Sequence, residues 1–464
     1  MTNADLPSAI TRQQVYALLI TVAAGLCLGR IMLVERWWGD NDGSRWLTAQ
    51  ALATTGSYVI GERIEYPNGE YLDRGLLFKD GKARSNDVVL SPTPVWENAD
   101  ARGSMPARIK RFYSSKPTLL PTLMGGLTRL VERVTPWTLE ESPGPVIRIG
   151  LVVFNWLPFV LMLLALTGLI EQYGRTDWGR CFAVAAACFG TFVTSFQTSI
   201  NNHTVAAAAI SFALYFMLRP AGPNQLHAFI AGFWAGFAAA NELPAMAFIG
   251  LVLLDLVLRG QWRYVPMFAV AAALPIAGEA MLNWLALGTS VPAYAKVGTE
   301  WYTFPGSYWA NKKEIDAAAD PMLVYLAHLL VGHHGLFSLT PVFILGLVEM
   351  IKSWQADAAM PEGLRRIGRI GSVTAVVVVG FYVFTTNNYG GWTLGPRWLF
   401  WLTPFFILLM LPWLDQAATV RPRRNFATFL LGWSAFSVFY MGLNPWYHPW
   451  LFWLCHSCGL IPYK

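Results

Sequence analysis

The chain has 464 residues, of which 55% are hydrophobic and 13% charged, and a formal net charge of +6. That charged share is about half the average for soluble domains, which makes the bilayer the main solvent and excludes an ordinary water-soluble globule. The basic residues fall in short clusters between apolar runs, where they report membrane topology and give no nucleic-acid-binding surface.

The first apolar run, Gln13 to Val34, is too long for a signal-peptide core and no small-residue cleavage site follows it, so it reads as a retained helix. Ten more stretches suited to crossing hydrocarbon follow. They are Val146 to Glu171, Arg180 to Phe196, His203 to Leu218, Leu226 to Ala240, Leu243 to Leu258, Tyr264 to Leu287, Leu336 to Ile351, Ile370 to Thr385, Arg397 to Leu414 and Phe426 to Leu443. The expected fold is an all-α polytopic membrane protein of about eleven transmembrane helices. Asn241, Glu242 and Pro244 split residues 226–258, either as a tight turn or as a break inside membrane-buried structure.

Arg12, Arg175 with Arg180, Arg219, Arg259 with Arg263, the cluster Lys352, Arg365, Arg366 and Arg369, and Arg421, Arg423 and Arg424 occupy alternate connections. The positive-inside rule makes these cytoplasmic. The N-terminus is then cytoplasmic, the membrane an inner (plasma) membrane, and the loops Glu35 to Pro145 and Gly288 to Pro321 extracytoplasmic. No repeat divides the chain, so residues 1–464 read as one membrane domain with residues 35–145 as an extracytoplasmic elaboration.

A loop of that length carries structure or function of its own. Gly43 to Thr55, with Trp46, Leu47, Ala51 and Leu52, and Lys116 to Val134, with Leu119, Leu120, Leu123, Leu127 and Leu130, have apolar residues at helical spacing and read as surface helices. Between them, Pro67-Asn68-Gly69 and Lys79-Asp80-Gly81 are turn signals among short strand-like runs, which predicts a small hairpin element. Cys27, Cys181 and Cys188 lie in apolar runs as packing groups, while Cys455 and Cys458 form either a local disulfide or two free thiols.

Directly after the first helix comes Trp37-Trp38-Gly39-Asp40-Asn41-Asp42-Gly43-Ser44-Arg45-Trp46. Two carboxylates at a membrane surface suit chemistry on a headgroup, although Asp40 and Asp42 equally suit the capping of the next helix. Later in the loop, Tyr113-Ser114-Ser115-Lys116-Pro117-Thr118-Leu119 sets a cation before the second surface helix, where Lys116 and backbone amides would jointly hold a phosphate. Three more clusters could complete a site. His333 and His334 precede a crossing, Arg397 beside Trp398 at membrane depth is costly unless it meets an anion, and Glu242 is an acceptor-side group or half of a buried pair.

Asp42-Gly43-Ser44-Arg45-Trp46 and Tyr113 to Leu120 together resemble the GT-C integral-membrane glycosyltransferases, in the protein O-mannosyltransferase and aminoarabinose-transferase branch. The branch's first outer loop opens with an acidic residue, a short run, then Arg and an aromatic, and closes with an aromatic and Lys-Pro. The resemblance covers roughly residues 10–220 by motif and the rest by architecture. It implies inverting transfer of a sugar from a polyprenyl-phosphate donor to a lipid, glycan or protein acceptor on the extracytoplasmic side. Asp42 would be the general base and Lys116 would meet the departing phosphate, with Arg45, Tyr113, His333, His334, Arg397 and Glu242 lining the site. The branch often has Asp-Glu where this chain has Asp42-Gly43. The Asp40-x-Asp42 pattern is like that of oligosaccharyltransferases, which leaves Asp40 as base, or a divalent metal, open. A transporter or lipid flippase would instead place ionisable residues at mid-membrane and show paired halves. A non-catalytic membrane partner in envelope assembly would tolerate loss of Asp40 and Asp42 together.

Overall fold

The computed structural model describes residues 11–81, 85–97, 107–219, 224–356 and 359–463. Residues 82–84 and 98–106 of the first long loop lie outside the described residues. Helix α1 (Arg12–Met32) starts at Thr11, whose hydroxyl accepts from the Gln14 amide while the Gln14 side chain returns to the Thr11 amide. That reciprocal cap satisfies two donors a helix start leaves orphaned. Helix α2 (Asp40–Thr55) follows directly.

The element expected as a small hairpin is a five-stranded antiparallel sheet. Its strands are β1 (Gly61–Glu65), β2 (Tyr71–Arg74), β3 (Val88–Leu90), β4 (Val95–Glu97) and β5 (Ala107–Ser114), in the order β2-β1-β5-β3 with β4 also on β5. The turn expected at Pro67 to Gly69 joins β1 to β2, with Gly69 in the left-handed region. Lys79 to Gly81 is no hairpin turn, however. It ends a 3-10 helix over Leu76–Gly81, because Leu77 is buried against Ile60 and Phe112 and draws the segment onto the sheet. The second long loop packs against the first: Arg63 pairs with Asp73 at 2.7 Å and donates to the Pro305 carbonyl, and Trp309 Nε1 donates to the Asn86 carbonyl.

Helix α3 (Leu119–Val134) starts three residues later than the periodicity of Lys116 to Val134 suggests. Pro117 disfavours helical backbone at the residue before it, so Lys116 stays in the approach to the helix. Gly125 of α3 lies against Leu52 and the Ala49 carbonyl, which seats α3 tightly on α2. Trp46 of α2, 1% exposed, packs on Gly150 of the next helix, α4 (Pro143–Tyr173).

The bundle continues with α5 (Asp177–Thr198), α6 (Asn202–Met217), α7 (Gln225–Asn241), α8 (Leu243–Leu258) and α9 (Trp262–Leu287). Among the described residues, α1, α4, α5, α9 and α12 (below) are long and apolar enough to cross a membrane, and a sixth crossing is the bent pair Arg397–Leu409 and Leu411–Ala417. Helices α6 and α8 are apolar but shorter. The polytopic helical class is therefore found, while the count of eleven stays an expectation. After α9 come α10 (Met322–Leu330), α11 (Phe343–Lys352) and α12 (Glu362–Thr385).

The basic connections gather at one end of the bundle. Arg12 pairs with Glu171 and Asp177, Arg366 with Asp255 at 2.5 Å, and the Gln172 and Tyr173 side chains donate to the Leu218 carbonyl. Asp415 accepts from the Thr176 amide at that same end.

Helices α7 and α9 approach most closely where Gly232 and Gly236, one turn apart, face α9. A methyl group on either would fall on the Phe268 or Ala272 carbonyl. Small residues at this spacing let backbones touch where lipid supplies no hydrophobic drive between helices. Gly236→Ala should therefore lower stability by about 1–3 kcal/mol, read as a lower thermal midpoint in detergent. Gly278→Ala on α9, with nothing near its added methyl, should not lower it, and equal losses in the two variants would refute this packing.

Candidate active site at the loop end of the bundle

Asp42 sits at the third position of α2 with its side chain turned back on the helix start. Oδ1 accepts from the Gly39 amide at 2.9 Å, and Oδ2 accepts from the Trp38 amide at 3.2 Å and the Ser199 hydroxyl at 3.1 Å. Burial pushes this carboxyl up to about 6, against the pull of those donors. Asp42 thus does cap its helix. Asp40, only partly buried, faces a different group of charges. Burial and the nearby Asp87 carboxylate push it up to about 6, while Lys116 acts in the opposite sense.

Lys116 pairs with Asp87 at 2.8 Å. Burial, together with repulsion from Arg397 and Arg45, lowers the ammonium to about 8. For Asp87 burial works toward a higher value, but Lys116 together with Arg397 and Arg45 outweighs it and the carboxyl ends below its ordinary range. Asp42 and Lys116 therefore do not meet, and the carboxylates in the field of Lys116 are Asp87 and Asp40. Beside Lys116 a small cavity runs between Tyr58, Tyr113 and Thr118 to Ala286 and Leu287 at the end of α9.

Arg45 is 1% exposed. It donates to the Asn41 carbonyl and side chain and to Asn202 Oδ1, leaving Nε without a partner. Asn202 in turn donates to Glu242, which pairs with His203 and accepts from Tyr382. Glu242 is thus half of a buried pair. Arg397 follows three consecutive left-handed residues, Tyr389, Gly390 and Gly391. A side chain at Gly390 would crowd Arg397, and one at Gly391 would crowd Asp316. The Arg397 guanidinium lies 5.0 Å from the Trp446 ring, and its Nε and Nη1 are shielded from solvent with no acceptor among the described residues. Arg45, Lys116 and Arg397 act electrostatically on one another and on Asp87.

The amides at the start of α3 are not open to a phosphate, contrary to the sequence expectation. Glu279 of α9 already accepts from the Thr118 and Leu119 amides, at 3.0 and 2.6 Å. A buried carboxylate has taken the place an outside anion would have used.

His333 and His334 lie elsewhere, in a buried cluster with His328, His448, Tyr389, Tyr463 and Phe452. They are not on a helix, and their Nδ1 atoms bond each other at 2.6 Å. Burial disfavours the charged form of both rings, and a neutral His333 donates from Nε2 to Tyr463 at 3.0 Å, itself a donor to Asp320 at 2.6 Å, and accepts at Nδ1 from His334. Both rings are neutral. Among the described residues no three His, Cys, Asp or Glu side chains are placed to hold a metal ion, and Cys455 and Cys458 are free thiols. The sequence reading passed over Asp87, Asp316, Ser199 and Glu279. Only Glu279 left a visible signal, as an ionisable residue within an apolar span.

No family model and no curated protein matches the chain. Among solved structures, ArnT from Cupriavidus metallidurans in the apo state superposes with a TM-score of 0.52 at 11% identity, over 91% of this chain and 63% of that one. The two chains share a fold. The same ArnT bound to undecaprenyl phosphate superposes at 0.50 with 13% identity, over 89% and 62%. The Archaeoglobus fulgidus oligosaccharyltransferase complex with zinc and sulfate gives 0.48 at 12% identity, over 93% and 53%. The chain thus spans less than two thirds of the length of either ArnT structure.

The neutral histidines give the fold an acid limit. Burial holds His333 and His448 down at about 3, while an unfolded chain protonates its histidines below about 6.5. Stability present above pH 6.5 is therefore lost as the pH falls toward 3. His448 has neither nitrogen bonded and stacks on Phe452 at 3.8 Å. His448→Phe should show a smaller drop in thermal midpoint between pH 7 and 5 than the parent, and an equal drop would count against this account.

Proposed function

We propose that the chain is a membrane glycosyltransferase that moves a sugar from a polyprenyl-phosphate donor to an acceptor on the extracytoplasmic side, with inversion. The observation that carries the proposal is the set of Arg45, Lys116 and Arg397 at the loop end of the bundle, with three guanidinium nitrogens that have no acceptor among the described residues. Unmatched cations beside a bilayer call for an anion, and a lipid phosphate can arrive there from the membrane. The fold shared with ArnT, a protein solved with undecaprenyl phosphate, supports the same ligand class. The small cavity beside Lys116 points toward Leu287 at the end of α9, the direction from which a lipid-borne phosphate would approach.

In the reaction the acceptor oxygen or nitrogen attacks the anomeric carbon and gives its proton to a carboxylate. The carbon–oxygen bond to phosphate breaks, and its electron pair leaves on the phosphate, where Lys116 and Arg397 stabilise the growing charge. Asp40 is the carboxylate within the field of Lys116 and partly open to a substrate, so it takes the proton, and Asp42 holds the start of α2. The match of Asp42 to the acidic position before Arg45 and Trp46 favours a second reading, with Asp42 as base.

Lys116→Met and Arg397→Met should each weaken undecaprenyl-phosphate binding in nanodiscs tenfold or more, about 1.4 kcal/mol. Asp40→Asn should bind undecaprenyl phosphate as the parent does yet transfer no labelled sugar from the polyprenyl-phosphate pool of membranes. Unchanged affinity in both cation variants would overturn the anion site, and full transfer by Asp40→Asn together with none by folded Asp42→Asn would move the base to Asp42. Transfer by the parent should rise with pH through about 6 as Asp40 loses its proton, because only the carboxylate form accepts one. A flat profile from pH 5 to 7 would contradict that role.

A further inference from the structure

Glu279 has no part in the chemistry above, yet it is the most heavily bonded carboxylate near it. It lies within the apolar span α9 and is 7% exposed. Oε1 accepts from the Thr118 amide at 3.0 Å and from Asn283 Nδ2 at 2.9 Å, and Oε2 accepts from the Leu119 amide at 2.6 Å. The Thr118 hydroxyl lies 3.2 Å from Oε2 and 3.0 Å from Asn283 Oδ1.

A carboxylate in an apolar span is costly unless it is matched. The start of a helix has orphaned amides and the positive end of its dipole. Glu279 and α3 resolve both problems together, and the consequence reaches Lys116. Lys116 is joined to the clamped Thr118 through Pro117 alone, whose ring fixes the backbone between them. The Lys116 amide also donates to Ser114 Oγ at 3.2 Å, which ties its other side to the sheet.

We infer that Glu279 is a positioning residue: it acts from the membrane-spanning helix to fix the Lys116 ammonium against Asp87 and level with the lipid boundary. The inference rests on the reading of Lys116 as a phosphate contact, but one of its consequences needs no donor at all. With the clamp broken, Lys116 leaves Asp87 and becomes open to reagents.

The test compares Glu279→Gln with the parent in nanodiscs. Gln keeps the shape and one acceptor but puts an amide nitrogen against an amide donor. Acylation of Lys116 by acetic anhydride, followed by mass spectrometry, should rise several-fold, with Lys110 on β5 unchanged as the internal control. Undecaprenyl-phosphate affinity should fall, and Glu279→Gln combined with Lys116→Met should bind no more weakly than Lys116→Met alone. Should Glu279→Gln not fold, Asn283→Ala removes one donor to Glu279 and should shift Lys116 labelling in the same direction, less strongly. Unchanged Lys116 labelling in every folded variant, or strictly multiplied losses in the double variant, overturns the inference. Raised labelling in a protein whose parent binds no undecaprenyl phosphate leaves the clamp standing and sinks the donor reading instead.

Discussion

Charge removed from water must find opposite charge or hydrogen bonds, and in a chain this apolar that requirement organises everything around the loop end of the bundle. Arg45, Lys116 and Arg397 come from three distant segments and repel one another. They stay together because Asp87 answers Lys116 and the Asn41 and Asn202 side chains answer Arg45. The match is incomplete, since two Arg397 nitrogens have no acceptor among the described residues. A buried cation left partly unmatched costs stability, and a bound phosphate would relieve that cost.

The scaffold serves this arrangement by fixing helix starts. Asp42 fastens α2 from within, Asn201 accepts from the Thr204 amide to start α6, and Glu279 fastens α3 from another helix. Each start sits beside a member of the cluster or a partner of one: Asp40 on α2, Asn202, which accepts from Arg45, on α6, and Lys116 before α3. Glycines then set how near the helices come. Gly125 brings α3 onto α2, and Gly150 admits the Trp46 ring that holds α2 against the bundle.

Much of this was legible from local sequence. The surface helix after the first span, expected from Gly43 and found to start at Asp40, the cation before Pro117, and Arg397 at membrane depth are features of a few consecutive residues, and each led to a group now found in the charged cluster. The parts that were not legible depend on long-range contacts. Asp87 lies in a polar stretch with no period, and only the pairing of β3 with β5 carries it to Lys116. The sheet looked like a hairpin because β5 joins β1 and β3 across the loop, not by adjacency. His333 and His334 were read toward the site from their place before a helix. Tyr389 and Tyr463 hold them in a separate cluster, and residue 463 is too distant in sequence to suggest this.

The most direct test of the anion site is an experimental density map of the protein reconstituted with undecaprenyl phosphate. The account predicts the phosphorus between Lys116 and Arg397, its tail passing Leu287 into lipid, and Asp87 withdrawn from Lys116. A phosphate seated elsewhere, with the 2.8 Å pair of Lys116 and Asp87 intact, would contradict it.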